Sequence, residues 1–449
     1  MRPLRKKRRS LQAPLSGAIP ALLACWLAGA MAPACAEEPR GDLPLAESFP
    51  VAASKKGLQV EDVADALALG VKHAAINVDL CRLVDLSEAR SSPHGQGASG
   101  ALRIHESYLR HLDERIAALS RHGVIVYAIL LAYAGDEQTN RLMLAPQYAA
   151  EAPNGLGMFN VAAPDGRART AALIEFLAER WSRPDRQYGR VDGYIVGNEV
   201  NSHWWWCNRG RVDCDEFIDD YLRAVRVVHD AVRSHSSSAR VYVSLDHHWG
   251  IRYPAGDEQM ACPGRRLVDE FARRARAQGD FDWHVAYHPY PENLFEPRYW
   301  NDATATPDDD AARITFKNLA VLTRYMRRPE LQFHGAPRRI ILSEQGFHTP
   351  DGPDGEALQA AAFCRAYKEI ERLEGVDAFI LHRHVDHPHE GGLRLGLRRF
   401  EPGADDPRPK KLIWDCFRAA DQPDWEDAFR FALPYADLAR WDGAAEPDR

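Results

Sequence analysis

The sequence predicts an α/β fold, a (β/α)8 TIM barrel with long loops at the C-terminal face of its strands. Three observations point there. Apolar runs of strand length alternate with helical stretches about eight times between residues 49 and 420, with no break in composition. Most of these runs are continuously apolar, as in parallel strands buried on both faces. Prolines and glycines fall between the segments. A doubly wound open sheet is the competing architecture, but no G-x-G-x-x-G follows an early strand and no P-loop occurs.

Taken in order, Phe49 to Ala53 reads as a first strand that is left through Lys55-Lys56-Gly57. Val60 to Leu69 has helical periodicity and stops at Gly70, a natural helix end. His73 to Leu80 is the second strand, with Asn77 and Asp79 at its polar tip. Ser91 to Gly100 is loop, Ser107 to His122 an amphipathic helix, and Val124 to Leu131 a buried strand. An insertion containing Pro146, Pro153 and Pro164 precedes a helix from Ala168 to Trp181. The fourth strand lies in Val191 to Glu199, and a helix from Glu216 to Ser234 follows. Ala239 to Leu245 is a strand capped by Asp246-His247-His248-Trp249, with a helix from Gly264 to Ala277 behind it. Phe281 to Tyr287 is a strand ending in His288-Pro289-Tyr290, followed by a helix from Ala311 to Arg327. Arg339 to Ser343 delivers Glu344, and Glu356 to Leu373 is helical. Ala378 to Leu381 begins the last strand, with His382 and His384 at its end, and Lys411 to Ala420 closes the barrel. Residues 421–449, with Trp425, Phe429, Phe431 and Trp441, read as an extension packed on the barrel.

The N-terminus is set apart. Arg2, Arg5, Lys6, Lys7, Arg8 and Arg9 precede an apolar stretch from Ile19 to Met31 and an Ala34-Cys35-Ala36 cleavage site. Residues 1–36 therefore read as a signal peptide, with residues 37–48 as a linker, and the expected location is periplasmic or secreted. Arg8-Arg9 also permits twin-arginine export, and Leu22-Leu23-Ala24-Cys25 also fits a lipoprotein box that would anchor the chain by lipid. Without those six cations the chain carries 51 Lys and Arg against 64 Asp and Glu, a net charge of −13. That balance argues against nucleic acid or an anionic membrane surface as partner. No membrane span is expected in the mature chain. Nothing here specifies the oligomeric state.

Six cysteines remain after the signal: Cys81, Cys207, Cys214, Cys262, Cys364 and Cys416. They allow 15 pairings, and the short separation of Cys207 and Cys214 makes that pair the expected disulfide. No C-x-x-C occurs, which argues against a zinc ribbon.

The chemistry concentrates at Val191 to Trp206 (VDGYIVGNEVNSHWWW). An apolar run ends on Gly197 and presents Asn198 and Glu199, with Trp204, Trp205 and Trp206 just beyond. A carboxylate at a strand mouth beside flat rings suits glycosidic bond cleavage, the rings stacking on sugar faces. A structural Glu among core tryptophans is the alternative, although three adjacent rings cannot all face inward from one element. Glu344 occupies the same local context after Ile340-Ile341-Leu342-Ser343. In a closed barrel, strands four and seven bring the two carboxyls to one mouth, one as acid/base and one as nucleophile.

These residues resemble those of clan A retaining glycoside hydrolases, with Asn-Glu after the fourth strand and Glu after the seventh. The phrases GNEVNS, HPYPENLF and ILSEQGF further resemble a bacterial domain family of uncertain function in that clan. The resemblance implies a β-linked poly- or oligosaccharide substrate and no cofactor or metal. It also implies that Glu199 is the acid/base, Glu344 the nucleophile and Asn198 the partner of the sugar 2-hydroxyl, with His288 or Tyr290 orienting Glu344. Trp204, Trp205, Trp206, His248, Trp249, Asn77 and His382 join the expected sugar contacts. The chain departs from the clan at two places. Asn77, Asp79 and Arg82 stand where many members carry an Arg, and His382-Arg383-His384 stands where a Trp platform is frequent.

Two other functions compete. His247, His248, His288, His382, His384, His387 and His389 all follow strands, as in a metal-dependent barrel hydrolase, but no H-x-H ends the first strand. A catalytically inactive sugar-binding barrel would be favoured by loss of either glutamate, and both are present. Arg209, Arg211 and Arg383 are placed to make the mouth locally cationic. No G-x-S-x-G occurs, so a serine nucleophile elbow is excluded.

Overall fold

A computed structural model describes residues 48–85, 103–403 and 408–441. The expected signal over 1–36, nearly all of the linker, the loop over 91–100 and the last residues of the chain lie outside these. Eight parallel strands close into a barrel: β1 (Lys56–Gln59), β2 (His73–Asp79), β3 (Ile125–Leu131), β4 (Gly193–Val196), β5 (Arg240–Asp246), β6 (Trp283–His288), β7 (Ile340–Leu342) and β8 (Val376–Leu381). Each pairs with the next, and β1 closes on β8 through Lys56↔Phe379, Gly57↔Ile380 and Leu58↔Leu381.

Helices occupy the crossovers. They are α1 (Val63–Ala68), α2 (Leu80–Leu83), α3 (Glu106–Arg121), α4 (Glu137–Met143), α5 (Pro164–Ser182), α6 (His203–Trp206), α7 (Cys214–Arg233), α8 (Gly264–Ala277), α9 (Leu319–Tyr325), α10 (Gly355–Glu371), α11 (Leu412–Ala419) and α12 (Trp425–Phe429). Several starts carry an acidic cap: Asp62 accepts from the Asp65 N–H at 2.8 Å, and Asp213 from the Glu216 N–H at 2.9 Å. α3 turns Tyr108, Leu109, Leu112, Ile116 and Leu119 inward, the spacing of one helical face.

Because strand side chains alternate, the core has two shells. Ala75, Tyr127, Ile129, Ile195, Tyr242, Ala286, Ile341 and Ile380 fill the barrel interior. Their strand neighbours, such as Ala74, Val126, Val241 and Val285, pack outward in the shell shared with the helices. The interior set fixes the site: two residues further along each strand, the inward positions become Asn77, Ser244, His288, Ser343 and His382.

Two expected elements move. Phe49 to Ala53 is not a strand; Phe49 and Ala52 pack against the interior cluster, and the first strand is Lys56–Gln59. The two lysines expected to lead out of that strand are held by carbonyls, Lys55 by Ile370 (2.6 Å) and Leu373 (2.9 Å), Lys56 by Ala420 (2.9 Å) and Arg418 (3.2 Å). Gly57 belongs there because a Cβ would stand 2.9 Å from both His73 Cβ and Ile380 Cγ1. The helix expected from Ala311 begins only at Leu319, because residues 311–314 pair with His247 to Gly250 instead, Ile314 N–H donating to the His247 carbonyl at 3.0 Å.

The Cys207–Cys214 pairing is overturned. Cys214 bonds Cys262, Cα to Cα 5.5 Å, joining the first residue of α7 to the segment that enters α8. Cys207 is a buried free thiol beside Gly197, where an added Cβ would lie 3.4 Å from its sulfur. No helix among the described residues is long and apolar enough to cross a membrane.

Candidate active site

The loop leaving β4 takes an unusual path. Gly197 has φ +74° and Glu199 φ +40°, a left-handed conformation that costs a non-glycine residue about 1 kcal/mol or more. The surroundings enforce it. Glu199 N–H donates to Ser244 Oγ at 3.0 Å, and Asp246 braces the following turn. Asp246 accepts from Asn201 Nδ2 (2.5 Å), Ser202 Oγ and the His248 N–H (2.8 Å), while its own N–H donates to Asn201 Oδ1 at 2.9 Å. Burial alone would raise the Asp246 carboxyl, but His248, His247 and Ser202 outweigh it and hold the group well below the usual range.

Across the mouth, Glu344 accepts from Gln59 Nε2 at 3.0 Å and from the Tyr290 hydroxyl at 3.2 Å. His288, 2% exposed, stands between the two glutamates, its Nδ1 2.9 Å from Glu199 Oε1 and its Nε2 3.0 Å from Ser343 Oγ. A carboxylate oxygen from each glutamate and a ring nitrogen of His288 all lie within 4.8 Å of one another.

The two carboxyls are pushed apart. Burial raises Glu199, opposed by the His288 hydrogen bond and aided by the negative charge of Asp246 and Glu344. Burial also raises Glu344, but the charges of His382 and His288 and the hydrogen bonds from Gln59 and Tyr290 outweigh it and hold Glu344 below its ordinary value. His288, lowered by burial, is raised on balance by its bond to Glu199 and by both carboxylates. Glu199 and His288 are thus each biased toward keeping a proton, while Glu344 is biased toward losing one.

Other expected contacts divide. Asn198 is partly exposed beside Glu199, and Asn77 is exposed on the inner face of β2. Trp206 is half-buried over the interior cluster, and Trp205 is half-buried with its ring 4.5 Å from Tyr253. Trp204 is buried. Trp249 is a correction: it is 0% exposed, packed edge-on against Tyr325, its indole N–H donating to the Asp309 carbonyl at 3.0 Å. His248 is buried and turned toward Asp246, Nδ1 to Oδ1 3.1 Å. Arg209 is taken by Asp220 and Glu216, and Arg211 by Asp257, so neither makes the mouth cationic.

The strand-end histidines do not converge. His247 bonds the Tyr290 carbonyl, His382 bonds Gln59 and Glu390, and His384 bonds Asp65. The group with metal-ligand spacing among the described residues is Glu199, His288 and Glu344. In this group His288 meets Glu199 by one ring nitrogen and the Ser343 hydroxyl by the other. Gln59, Asp246, Ser244, Tyr253 and Glu390 are site residues that the sequence reading missed. Gln59 follows from period-two counting once β1 is placed at residue 56; Glu390, in a loop beyond β8, carries no such signal.

The closed parallel barrel shares its fold with solved glycoside hydrolases. Similar solved structures include a family 39 glycoside hydrolase from Bacteroides cellulosilyticus WH2, 12% identical with TM-score 0.52, the match covering 82% of this chain but 64% of that one. The hyperthermophilic β-glucosidase of Pyrococcus furiosus is 15% identical, TM-score 0.52, over 83% and 86% of the two chains. The family 1 β-glucosidase of Thermotoga maritima is 15% identical, TM-score 0.51, over 80% and 84%. No curated protein matches in sequence. Residues 48–444 match DUF5722, a family of unknown function, and the chain belongs to that family.

Proposed function

We propose that this protein is a retaining glycoside hydrolase that cleaves β-linked poly- or oligosaccharides by double displacement. The observation that carries the proposal is the approach of the Glu199 and Glu344 carboxylate oxygens to within 4.8 Å, with opposite pressures on their protons. Retaining enzymes need about 5–5.5 Å between carboxyls, whereas inverting enzymes leave about 6.5–9.5 Å for a water.

In the first step Glu344 forms a bond to the anomeric carbon as the glycosidic C–O bond breaks, and Glu199 gives its proton to the departing oxygen. In the second, Glu199 takes a proton from water, the water oxygen bonds the anomeric carbon and Glu344 leaves. His288 holds Glu199 by one nitrogen and Ser343 by the other, which fixes the acid's direction. Asn198 and Asn77 supply amides to sugar hydroxyls, and Trp205 and Trp206 supply ring faces. The β-linkage rests on the fold shared with the two β-glucosidases. Export, to the periplasm or beyond, follows from the cationic and apolar N-terminus, and the Cys214–Cys262 bond supports it.

The test is sugar release from a panel of β-glycans by the chain without residues 1–36, beside Glu199→Gln and Glu344→Gln. Both variants should lose about a thousandfold or more. A 2-deoxy-2-fluoro glycoside should leave its sugar on Glu344, seen by peptide mass. Undiminished release by both variants would sink the assignment.

A further inference from the structure

We propose that Tyr253 and Trp205 hold the sugar that leaves, so that this site cuts between two sugars and can pass its bound sugar to a sugar acceptor. The proposal rests on the two-glutamate reading above. It also separates the three adjacent tryptophans, which no single role explains.

Trp204 is 7% exposed and belongs to the core, whereas Trp206 lies half-buried over the interior cluster. Trp205 is committed to the β5 loop. Its ring lies 4.5 Å from that of Tyr253, tilted by 40°. Its six-membered edge rests on Gly256, where an added Cβ would come within 2.9 Å of Cη2 and 3.0 Å of Cζ3. Only glycine admits that approach, so the β5 loop is shaped to receive the ring. From a third loop, Asn154 Nδ2 donates to the Trp205 carbonyl at 3.2 Å. Tyr253 in turn is tied to the surroundings of Glu199. Its ring meets His248 edge-on at 5.2 Å, and His248 Nδ1 stands 3.1 Å from Asp246 Oδ1. Asp246 holds Asn201 and Ser202, in the turn just after Glu199. Burial, then the charges of Glu199 and Asp246, raise the Tyr253 hydroxyl, which has no hydrogen-bond partner among the described residues.

The side on which these rings stand decides their task. In the first step Glu199 protonates the departing oxygen, so whatever that oxygen carries must lie against Glu199. Trp205 and Tyr253 share the β4 and β5 loops with Glu199, while Glu344 is held by Gln59 on β1 and Tyr290 after β6. Rings that merely pack loops are buried in this chain, as Trp204 and Trp249 are, yet Trp205 and Tyr253 stay partly open. They offer apolar faces to the C–H groups of a pyranose and one hydroxyl to its oxygens. After the first sugar departs, a second can occupy the same rings. Its hydroxyl oxygen then bonds the anomeric carbon, the bond to Glu344 breaks, and Glu199 takes the hydroxyl proton in place of one from water.

The experiment compares the parent, Tyr253→Ala and Tyr253→Phe on two donors of the sugar that the β-glycan panel releases. One is its β-fluoride, whose leaving atom carries no sugar, and the other its β-linked disaccharide. Tyr253→Ala should lose about tenfold or more in kcat/KM on the disaccharide relative to the fluoride, and Tyr253→Phe should recover most of it. Free disaccharide should speed release of the trapped fluoroglycoside saturably in the parent, with saturation lost in Tyr253→Ala. Equal losses on both donors, or a trapped sugar indifferent to free disaccharide, overturn the proposal. Saturation-transfer NMR with oligosaccharides of the same panel reads the site without turnover. Signals that weaken in Tyr253→Ala and return in Tyr253→Phe are expected; signals that ignore the substitution, or none from the parent, overturn it. Tyr253-dependent binding by a parent that releases no sugar and traps no fluoroglycoside would instead overturn the glycosidase reading and leave the sugar site standing.

Discussion

Glu199 and Glu344 have the same side chain, and their environments alone push their protons in opposite directions. Glu199 has a buried histidine and two further carboxylates near it; Glu344 has an amide, a phenol and two imidazoles. For the proposed glycosidase the expected consequence is a bell-shaped dependence of kcat/KM on pH. Activity should rise as Glu344, held below its ordinary value, ionises, and should fall at higher pH as the raised Glu199–His288 pair gives up its proton. With an aryl glycoside whose phenol leaves unaided, Glu199→Gln should keep the acid limb and lose the basic one. A basic limb that persists unchanged in Glu199→Gln would remove Glu199 from the acid role. The same depression of Glu344 adds a stability term that is present above the ordinary carboxylate range and is lost as pH falls through its folded value.

At the scale of elements, apolar runs made strands legible: the continuous VIVYAILL gives β3, and FDWHVAY, interrupted by Asp282 and His284, gives β6, each within two residues. β1 was illegible because Lys55, just before it, and Lys56, its first residue, bond carbonyls at Ile370 and Ala420, and no local pattern reports a partner more than 300 residues away. Gln59 was lost with it, and Glu390 and Gln59 meet at His382 only after β8 closes on β1. The disulfide failed for a related reason. Sequence proximity favoured Cys207, but α7 and α8 begin side by side, and the β4 and β5 loops are laced together by Trp204 N–H to the Met260 carbonyl (3.0 Å) and Cys262 N–H to the Asn201 carbonyl (2.7 Å). Closing a loop of 48 residues is worth about 4 kcal/mol in the chain-entropy picture. Cys262→Ser should therefore lower the denaturant midpoint substantially and make it insensitive to reductant. A parent whose midpoint ignores reductant would refute the bond.

At the scale of the whole molecule, the barrel closes with help from both ends of its described chain. Before β1, Phe49 and Ala52 pack on the interior cluster, and Ser54 and Tyr367 both bond Asp421. After α11, residues 421–441 lay Trp425 against Tyr367 and Phe429 against Phe363, ring centroids 5.8 and 6.0 Å apart, and Trp441 covers Phe429. Phe429 is fully buried in this outer shell, while the glutamates open at the mouth. Stability and the proposed chemistry thus rest on different residues, and one substitution should separate them. Phe429→Ala should cost about 3–5 kcal/mol, because a buried ring is lost and its neighbours on α10 and α11 refill the space only in part. Sugar release per folded molecule at low temperature should stay near that of the parent, since no site residue touches this ring. Urea unfolding followed by tryptophan fluorescence measures the first, and active-site titration with the fluoroglycoside normalises the second. A variant of parental stability would mean that the extension is loosely attached. A stable variant with lost activity would tie the extension to the mouth, through the α10 helix that follows Glu344.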